Sequence, residues 1–227
     1  MAQHPSTNFS ERRGNVTPDL IVLHYTAMAT APAALDRLCD PEREVSAHYL
    51  ISERGHIIQL VAEEFRAWHA GAGAWGNCKD VNSQSIGIEL ANDGITPFSA
   101  AQMDALEHIL AGIMERWSIP AERVIGHSDM APARKSDPGM RFDWRRLALS
   151  GHSVWPNDNG DQAVDKAGFE ETAKRFGYPT DIEFDSLLGA FRLRFRPWET
   201  GPLDTTDMAL VTDLARRFPV DQPAVSP

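Results

Sequence analysis

Four consecutive apolar residues, Leu20-Ile21-Val22-Leu23, constrain the fold of this chain more than any other feature of its sequence. A run of branched side chains without polar alternation predicts a strand that is covered on both faces, as in parallel or mixed sheets. Helical periodicity follows it over 31–39 and again over 99–117, where Ser99 and Gln102 form a capping-box signature. Further strands are predicted at 47–52, 56–61, 85–91 and 123–127. The alternation of strands and helices indicates an α/β fold with a mixed central β-sheet flanked by helices.

The second half of the chain changes character after Trp155-Pro156. A polar stretch there is typical of a linker, and three helical patterns with apolar faces follow it. We expect the second of these helices to begin with the capping-box pair Thr180 and Glu183. The predicted organisation is a flexible N-terminal arm (1–17), the main α/β domain (18–156), a linker (157–163), a small C-terminal three-helix subdomain (164–219) and a frayed tail (220–227).

Composition excludes several classes of function. The formal net charge is −10 and Lys and Arg do not cluster, so no nucleic-acid partner is expected. No stretch approaches the roughly 20 apolar residues that span a bilayer, so no transmembrane segment is expected. The N-terminus lacks a basic head followed by an apolar run, which predicts a cytoplasmic protein, or a periplasmic one if an export signal was removed. Cys39 and Cys78 are expected to be free thiols.

Two histidines stand at the ends of predicted strands, and a carboxylate follows the second. His24 ends the first strand, His127 ends the strand at 123–127, and Asp137 comes ten positions later in a segment made rigid by Pro138. Two imidazoles and one carboxylate form a three-ligand zinc set whose fourth position stays open to water. A histidine at a strand end is, however, more often a hydrogen-bonding residue, and Asp137 is also suited to capping its turn.

The strand at 85–91 carries Glu89 on a face of small residues. Ile86, Ile88 and Leu90 alternate with Ser85, Gly87, Glu89 and Ala91. Small neighbours leave room above Glu89 for a ligand, although a solvent-facing edge carboxylate is the alternative. The preceding segment 68–84 is rich in Gly, Asn and Trp and is predicted to be a long ordered loop of functional type.

Five sequence blocks follow one another along the chain: Val22-Leu23-His24-Tyr25-Thr26, Ser46-Ala47-His48-Tyr49-Leu50-Ile51, Ala67-Trp68-His69-Ala70-Gly71, Ser85-Ile86-Gly87-Ile88-Glu89-Leu90, and Gly126-His127-Ser128-Asp129 with Asp137-Pro138-Gly139. They closely resemble the N-acetylmuramoyl-L-alanine amidases of the type-2 amidase family, which is related to phage lysozyme-like amidases and peptidoglycan recognition proteins. The resemblance covers roughly residues 18 to 156, and the C-terminal helices resemble a small peptidoglycan-binding-type domain.

The resemblance implies a set of site residues and a substrate. It assigns His24, His127 and Asp137 to a zinc ion, Glu89 to acid–base catalysis and Lys135 to stabilisation of the oxyanion, with a solvated loop lysine as the alternative for Lys135. It implies hydrolysis of the bond between N-acetylmuramic acid and L-alanine in muropeptides or peptidoglycan fragments. With the cytoplasmic location, 1,6-anhydro-muropeptides of cell-wall recycling are the expected substrates.

Other residues are candidates for substrate binding. The aromatic faces of Tyr25, Tyr49 and Trp75 suit sugar or peptide, with core packing as the alternative for each. Arg134 suits a substrate carboxylate, and His69 either lines the cleft or packs. His48 is expected to be a buried, hydrogen-bonded residue, and His56 and His108 to lie on the surface.

Three other functions stay open at this point. A broader periplasmic peptidoglycan amidase is favoured by the resemblance to lipid-anchored members of the family. A non-catalytic muropeptide receptor on the same fold would typically lack a metal ligand. A glycosidase would need two carboxylates flanking the sugar bond, and only Glu89 is placed for that. The C-terminal helices either stabilise the main domain, which is favoured, or bind wall material.

Overall fold

The computed structural model describes residues 1–157, 160 and 162–221. Within these residues, eight strands and eight α-helices are formed, with short 3₁₀ turns at Arg13–Asn15, Pro41–Arg43 and Ala121–Arg123. The strands are β1 (Ala2–Gln3), β2 (Phe9–Ser10), β3 (Leu20–Tyr25), β4 (Tyr49–Ile51), β5 (Ile57–Gln59), β6 (Arg66–Ala67), β7 (Ser85–Leu90) and β8 (Val124–Gly126). The helices are α1 (Ala31–Cys39), α2 (Val81–Gln84), α3 (Ala100–Trp117), α4 (His127–Met130), α5 (Trp144–Leu149), α6 (Lys166–Phe176), α7 (Phe184–Phe195) and α8 (Thr205–Arg217).

Six of these strands form one mixed sheet in the order β1-β5-β4-β7-β3-β8. Strands β4, β7, β3 and β8 run parallel, whereas β5 pairs antiparallel with β4 through the predicted hairpin. The apolar run of β3 lies inside the sheet and is fully buried, which confirms the strand covered on both faces. The predicted α/β fold with a mixed central sheet is therefore confirmed.

Helices cover both faces of the sheet. Ile21 and Leu23 of β3 and the isoleucines of β7 pack against α3, whose Leu106 and Leu110 face them. The Ser99 side chain accepts a hydrogen bond from the backbone N–H of Gln102, as the capping signature predicted. On the opposite face, Leu20 and Val22 join one hydrophobic cluster with residues of α6, α7 and α8.

The start of α7 differs from the prediction. Thr180 and Glu183 do not begin this helix together, because Glu183 has an extended backbone (φ −60°, ψ 134°) and α7 starts at Phe184. Glu183 is thus the residue before the helix and not its third residue, which corrects the capping-box assignment.

The N-terminal segment is held more closely than the predicted flexible arm. Strand β1 adds to the sheet beside β5, and β2 pairs with β6. The Ser6 hydroxyl donates to the carbonyl of Leu38, and the Asn8 amide donates to the carbonyls of Asp40 and Val45. Polar side chains of the segment therefore satisfy backbone acceptors around the end of α1, a role that composition does not reveal.

Residues 158, 159 and 161 of the predicted linker and 222–227 of the predicted tail lie outside the described residues. The domain boundaries stay predictions. Across the described part of the chain, none of the helices combines the length and the hydropathy that a bilayer-spanning segment requires.

Candidate metal centre and active site

Two parallel neighbours, β3 and β8, bring His24 and His127 to the same edge of the sheet. His24 is the fifth residue of β3, and His127 begins α4 directly after β8. The loop after α4 then returns Asp137 to this edge, where the Ser128 N–H donates to the Asp137 carbonyl at 2.9 Å. The sequence therefore delivers three potential metal donors from three separate segments to one place.

The three donor atoms lie close together and are buried. His24 Nδ1 and His127 Nδ1 are 2.9 Å apart, and Asp137 Oδ2 lies 2.9 Å from the first and 3.0 Å from the second. Zinc with ligands at 2.0–2.1 Å places tetrahedral donors about 3.3 Å apart, so these separations are near what the ion needs. The donor set, two neutral nitrogens and a carboxylate, fits a divalent cation.

Burial keeps the imidazole of His24 ready to coordinate. Burial, and then the neighbouring His127, lower the pKa of His24 to about 4. Burial opposes ionisation of Asp137, but its close contacts with the His127 and His24 rings outweigh burial and lower the pKa of the carboxyl. The arrangement thus favours a neutral His24 beside an ionised Asp137, the protonation states that a metal site requires of these two groups.

A chain of hydrogen bonds determines which nitrogen of His24 faces the donor cluster. The Ser85 hydroxyl donates to the Val81 carbonyl, so its oxygen accepts from Nε2 of His69 at 3.2 Å. Nδ1 of His69 then accepts from Nε2 of His24 at 3.0 Å. This leaves the lone pair of His24 Nδ1 pointing at Asp137 and His127.

His127 is oriented in the same way by a backbone carbonyl. Its Nε2 donates to the Ala70 carbonyl at 2.8 Å, which leaves Nδ1 as the free lone pair. Partners of this kind fix the tautomer and ring orientation of metal-binding histidines. Residues 69 and 70 both come from the Gly-rich loop, so the predicted functional loop acts here by holding the donors.

Gly87 explains how His69 reaches its place. A Cβ atom at position 87 would lie 2.4 Å from the His69 ring, so only glycine admits the imidazole. The room above β7 that the small residues predicted is therefore partly filled by His69. Of the two roles considered for His69, packing beside the donors describes its position, since it is buried.

Glu89 stands next to this cluster with an unsatisfied oxygen. It is the cross-strand partner of His24, so the two side chains share one face of the sheet. Its Oε2 is buried and meets no hydrogen-bond partner among the residues that the structure describes. Burial, and then the charge of Asp137, raise the pKa of Glu89 to about 8, while Lys135 opposes the shift. A buried carboxylate oxygen left without a donor is costly, which marks Glu89 as a candidate functional residue.

Lys135 and Arg134 lie on the exposed turn before Asp137. The Lys135 charge is near enough to influence the pKa of both His24 and Glu89. The Arg134 guanidinium instead donates to the carbonyls of Ala70 and Ala72. Arg134 therefore fastens the Gly-rich loop through Nη2, and its binding of a substrate carboxylate stays a prediction.

The three aromatic candidates have different positions. Tyr25 is half-buried beside the site, with its hydroxyl 3.1 Å from that of Ser136. Tyr49 is buried against the α3 face, and its hydroxyl donates to Glu63 at 2.6 Å. Trp75 is fully buried against Phe176 and Tyr178. Tyr49 and Trp75 therefore offer no face to a ligand, which corrects their assignment as substrate-binding residues.

His48, His56 and His108 lie where the sequence predicted them. His48 is fully buried and its Nδ1 accepts from the backbone N–H of Gly87 at 2.9 Å. His56 and His108 are exposed. Sequence reasoning missed the bond between His69 and His24. The available signal was a histidine in the loop together with Gly87, which pairs with Val22, two residues before His24.

Comparison with known proteins identifies the family. Residues 14–140, more than half of the chain, match the family model described as N-acetylmuramoyl-L-alanine amidase. The chain belongs to this family of amide hydrolases.

Two proteins of Escherichia coli (strain K12) illustrate the similarity. The N-acetylmuramoyl-L-alanine amidase AmiD is 34% identical over 89% of this chain and 84% of AmiD. The 1,6-anhydro-N-acetylmuramyl-L-alanine amidase AmpD is 33% identical over 64% of this chain and 88% of AmpD.

Solved structures show the same similarity over almost the whole chain. AmiD in complex with anhydro-N-acetylmuramic acid-L-Ala-D-gamma-Glu-L-Lys superposes with a TM-score of 0.83 at 32% identity, covering 95% of this chain and 100% of that chain. AMPDH3 from Pseudomonas aeruginosa in complex with anhydromuramic pentapeptide gives 0.81 at 31% identity, covering 96% of each chain.

Proposed function

We propose that this chain is a zinc-dependent amidase that cleaves the bond between N-acetylmuramic acid and L-alanine of muropeptides. One observation carries the proposal: three buried metal donors converge within 3.0 Å beside Glu89, whose buried Oε2 meets no hydrogen-bond partner among the described residues. 1,6-Anhydro-muropeptides of cell-wall recycling are the proposed substrates. This choice is supported by the anhydromuramic ligands bound to AmiD and AMPDH3.

His24 and His127 would hold the ion through Nδ1, and Asp137 through Oδ2. When bound, zinc polarises the scissile carbonyl and makes a water molecule acidic near neutral pH. The protein prepares this chemistry by fixing both histidine tautomers before any ion arrives, through the Nε2 contacts to His69 and to the Ala70 carbonyl.

Glu89 is the proposed proton carrier. Its free Oε2 can accept a proton from the attacking water and return it to the departing nitrogen of L-alanine. A divalent charge close by favours the ionised form of Glu89 and so opposes the effect of burial on its pKa.

Lys135 is proposed to place its ammonium by the carbonyl oxygen as negative charge develops there. Its exposed position lets the side chain move onto a bound substrate. Tyr25 is proposed to line the same opening, because its half-buried ring lies beside the turn that carries Lys135.

The glycosidase alternative loses its second carboxylate. Asp137 is the other acid near Glu89, and both imidazoles already engage it. The non-catalytic receptor is disfavoured because all three donors and the unpartnered Glu89 are retained.

The proposal is tested by zinc content and product analysis on the same protein. Elemental analysis should give one zinc per chain, and mass spectrometry should detect free L-alanyl peptide from 1,6-anhydro-muropeptide. His24→Ala should lose the zinc and the product together. Full turnover by the metal-free protein would refute the mechanism.

Assays with whole sacculi separate the narrower substrate from the broader periplasmic alternative. Release of peptide from sacculi at the rate seen with anhydro-muropeptide would favour the broader enzyme. The cytoplasmic location stays a prediction, which cell fractionation of the native gene product tests.

A further inference from the structure

A buried ion pair joins the C-terminal helices to the short helix that carries His127. Asp129 lies in α4, two residues after His127, and Arg194 lies in α7. Arg194 Nη1 donates to Asp129 Oδ2 at 2.7 Å, and the two residues are 2% and 0% exposed. Neither charge reaches solvent, so each depends on the other for its position.

Tyr178 completes this buried network. Its hydroxyl, just beyond the end of α6, donates to Asp129 Oδ1 at 2.6 Å. Burial, and then the Asp129 charge, raise the pKa of Tyr178 well above its usual value, so the hydroxyl keeps its proton and remains a donor. Both carboxylate oxygens of Asp129 are therefore held by residues of the C-terminal segment.

The same carboxylate organises the backbone around the metal donors. Asp129 Oδ2 accepts from the N–H of Gly126, the residue immediately before His127, at 2.8 Å. In the same turn, the Ser128 N–H donates to the carbonyl of Asp137. Asp129 thus fixes the turn that carries His127, and the Ser128 N–H of the same turn holds Asp137.

Arg194 fixes the preceding strand as well. Its Nη2 donates to the carbonyl of Val124 in β8 and to the Ser153 hydroxyl, both at 3.1 Å. The guanidinium also stacks over the Trp144 ring, 4.3 Å from its centroid. One side chain of α7 therefore contacts both the strand and the turn that lead to His127.

Stability alone does not account for this network. A buried ion pair is seldom more stabilising than well-packed apolar residues of the same volume. Arg194 Nε, moreover, is buried with no partner anywhere in residues 1–157, 160 and 162–221. What the polar network adds is direction, because hydrogen bonds fix a backbone turn where apolar packing would let it shift.

We infer that Asp129, Tyr178 and Arg194 are positioning residues for the metal centre, so that the C-terminal helices set the geometry of His127 and Asp137. The inference rests on the proposed zinc-dependent function. It gives the helical segment a part in the reaction, in place of general support or wall binding.

The test compares two arginines of one helix. Arg192 and Arg194 both lie in α7, are both buried and both pair with a buried aspartate, but Arg192 pairs with Asp207 of α8. Arg194→Met breaks the link to α4, whereas Arg192→Met breaks a link inside the helical segment. Tyr178→Phe removes a single oxygen, the one that donates to Asp129, and replaces Arg194→Met in the test if that variant does not fold.

The zinc dissociation constant of each full-length variant is measured by chelator competition, well below its melting temperature. Removal of direct partners of metal ligands typically weakens binding by about 10–100-fold; Arg194 and Tyr178 act one step further out, through Asp129, so we expect about tenfold weaker binding for Arg194→Met and Tyr178→Phe. Arg192→Met should keep the wild-type constant within about twofold at a comparable loss of melting temperature. The kcat on 1,6-anhydro-muropeptide should fall in the first two variants while KM changes little.

Wild-type zinc affinity in Tyr178→Phe would overturn the inference, as would equal weakening in Arg192→Met. Failure of the proposed function has a different signature, namely a wild-type protein that binds no zinc or turns over without it.

Discussion

Nδ1 of His69 lies 3.0 Å from Nε2 of His24, and this contact turns the other nitrogen of His24 toward Asp137 and His127. One buried imidazole thus orients another. His69 in turn is held by Ser85, so the loop and β7 jointly determine a proposed metal ligand.

Replacing His69 tests this relationship. His69→Phe keeps a ring of similar size but removes the acceptor, so His24 loses the partner that fixes its tautomer. We expect zinc affinity to fall by about 10–100-fold, measured by chelator competition. His56→Phe, at an exposed position, is the control, and unchanged affinity in His69→Phe would show that packing alone holds His24.

Glu89→Gln separates metal binding from proton transfer. The amide keeps the shape of the side chain but cannot accept the proton of water, so zinc should stay bound while turnover falls by about 10²-fold or more. Elemental analysis and single-turnover assays check the two halves of this expectation. Near-normal turnover would remove Glu89 from its role.

Lys135 is tested by charge. Lys135→Met should lower kcat by roughly 10²-fold, the usual effect of losing one oxyanion-stabilising group, and Lys135→Arg should restore part of the rate. Lys79→Met removes an exposed lysine of the Gly-rich loop and is the matched control. An equal loss in both variants would point to net charge and not to position.

Two glycines should respond to alanine in opposite directions. Gly177 ends α6 at φ +134°, and a Cβ there would lie 2.5 Å from the Trp75 ring. Gly177→Ala should therefore lower the free energy of unfolding by more than about 1 kcal/mol.

Gly189, in contrast, lies on the exposed side of α7, where an added Cβ meets no atom of the described residues within 4 Å. Gly189→Ala should raise the free energy of unfolding by about 0.5–1 kcal/mol through helix propensity. Urea unfolding of both variants gives the comparison, and destabilisation by Gly189→Ala would contradict it.

His48 should make stability depend on pH. Burial lowers its pKa to about 3, although the hydrogen bond with the Phe65 carbonyl opposes the shift. Its ordinary pKa of about 6.5 applies in the unfolded chain, so unfolding takes up a proton between these values. The contribution is complete above pH 6.5 and is lost as pH falls toward 3, at about 1.4 kcal/mol per pH unit.

The measurement is the free energy of unfolding from pH 4 to 7 with chelator present, in wild type and His48→Asn. The dependence on pH should be steeper in wild type than in His48→Asn, by up to about 1.4 kcal/mol per pH unit, which corresponds to one proton. Parallel curves for wild type and His48→Asn would show that His48 is charged in the folded protein.

Short-range patterns predicted the parts of this protein that depend on them. The uninterrupted run of β3 and the alternation of β7 fixed which residues are covered, and the ends of parallel strands predicted that His24 and His127 meet. The prediction that Tyr49 binds substrate was wrong because the direction of its side chain depends on strand pairing. Tyr49 pairs with Ile88, and its ring therefore faces α3. The prediction that Trp75 binds substrate was wrong because Trp75 packs into a hydrophobic cluster formed by helices about a hundred residues later in the chain.

The hydrogen bonds between side chains could not be predicted from the sequence for a similar reason. His69 meets His24 only because Gly87 leaves the space, and Asp129 meets Arg194 across 65 positions of the chain. Periodicity describes faces of elements, and these contacts depend on how separate elements are placed.

The cluster that unites Leu20, Val22 and Trp75 with Phe176, Phe191 and Leu214 sets a limit on protein engineering. Cutting the chain before α6 would expose apolar residues of β3 and of the Gly-rich loop to solvent. We expect such a fragment to aggregate through this exposed apolar surface. A chimera between relatives that exchanges the last three helices would have to carry the facing residues of β3 and the loop with them.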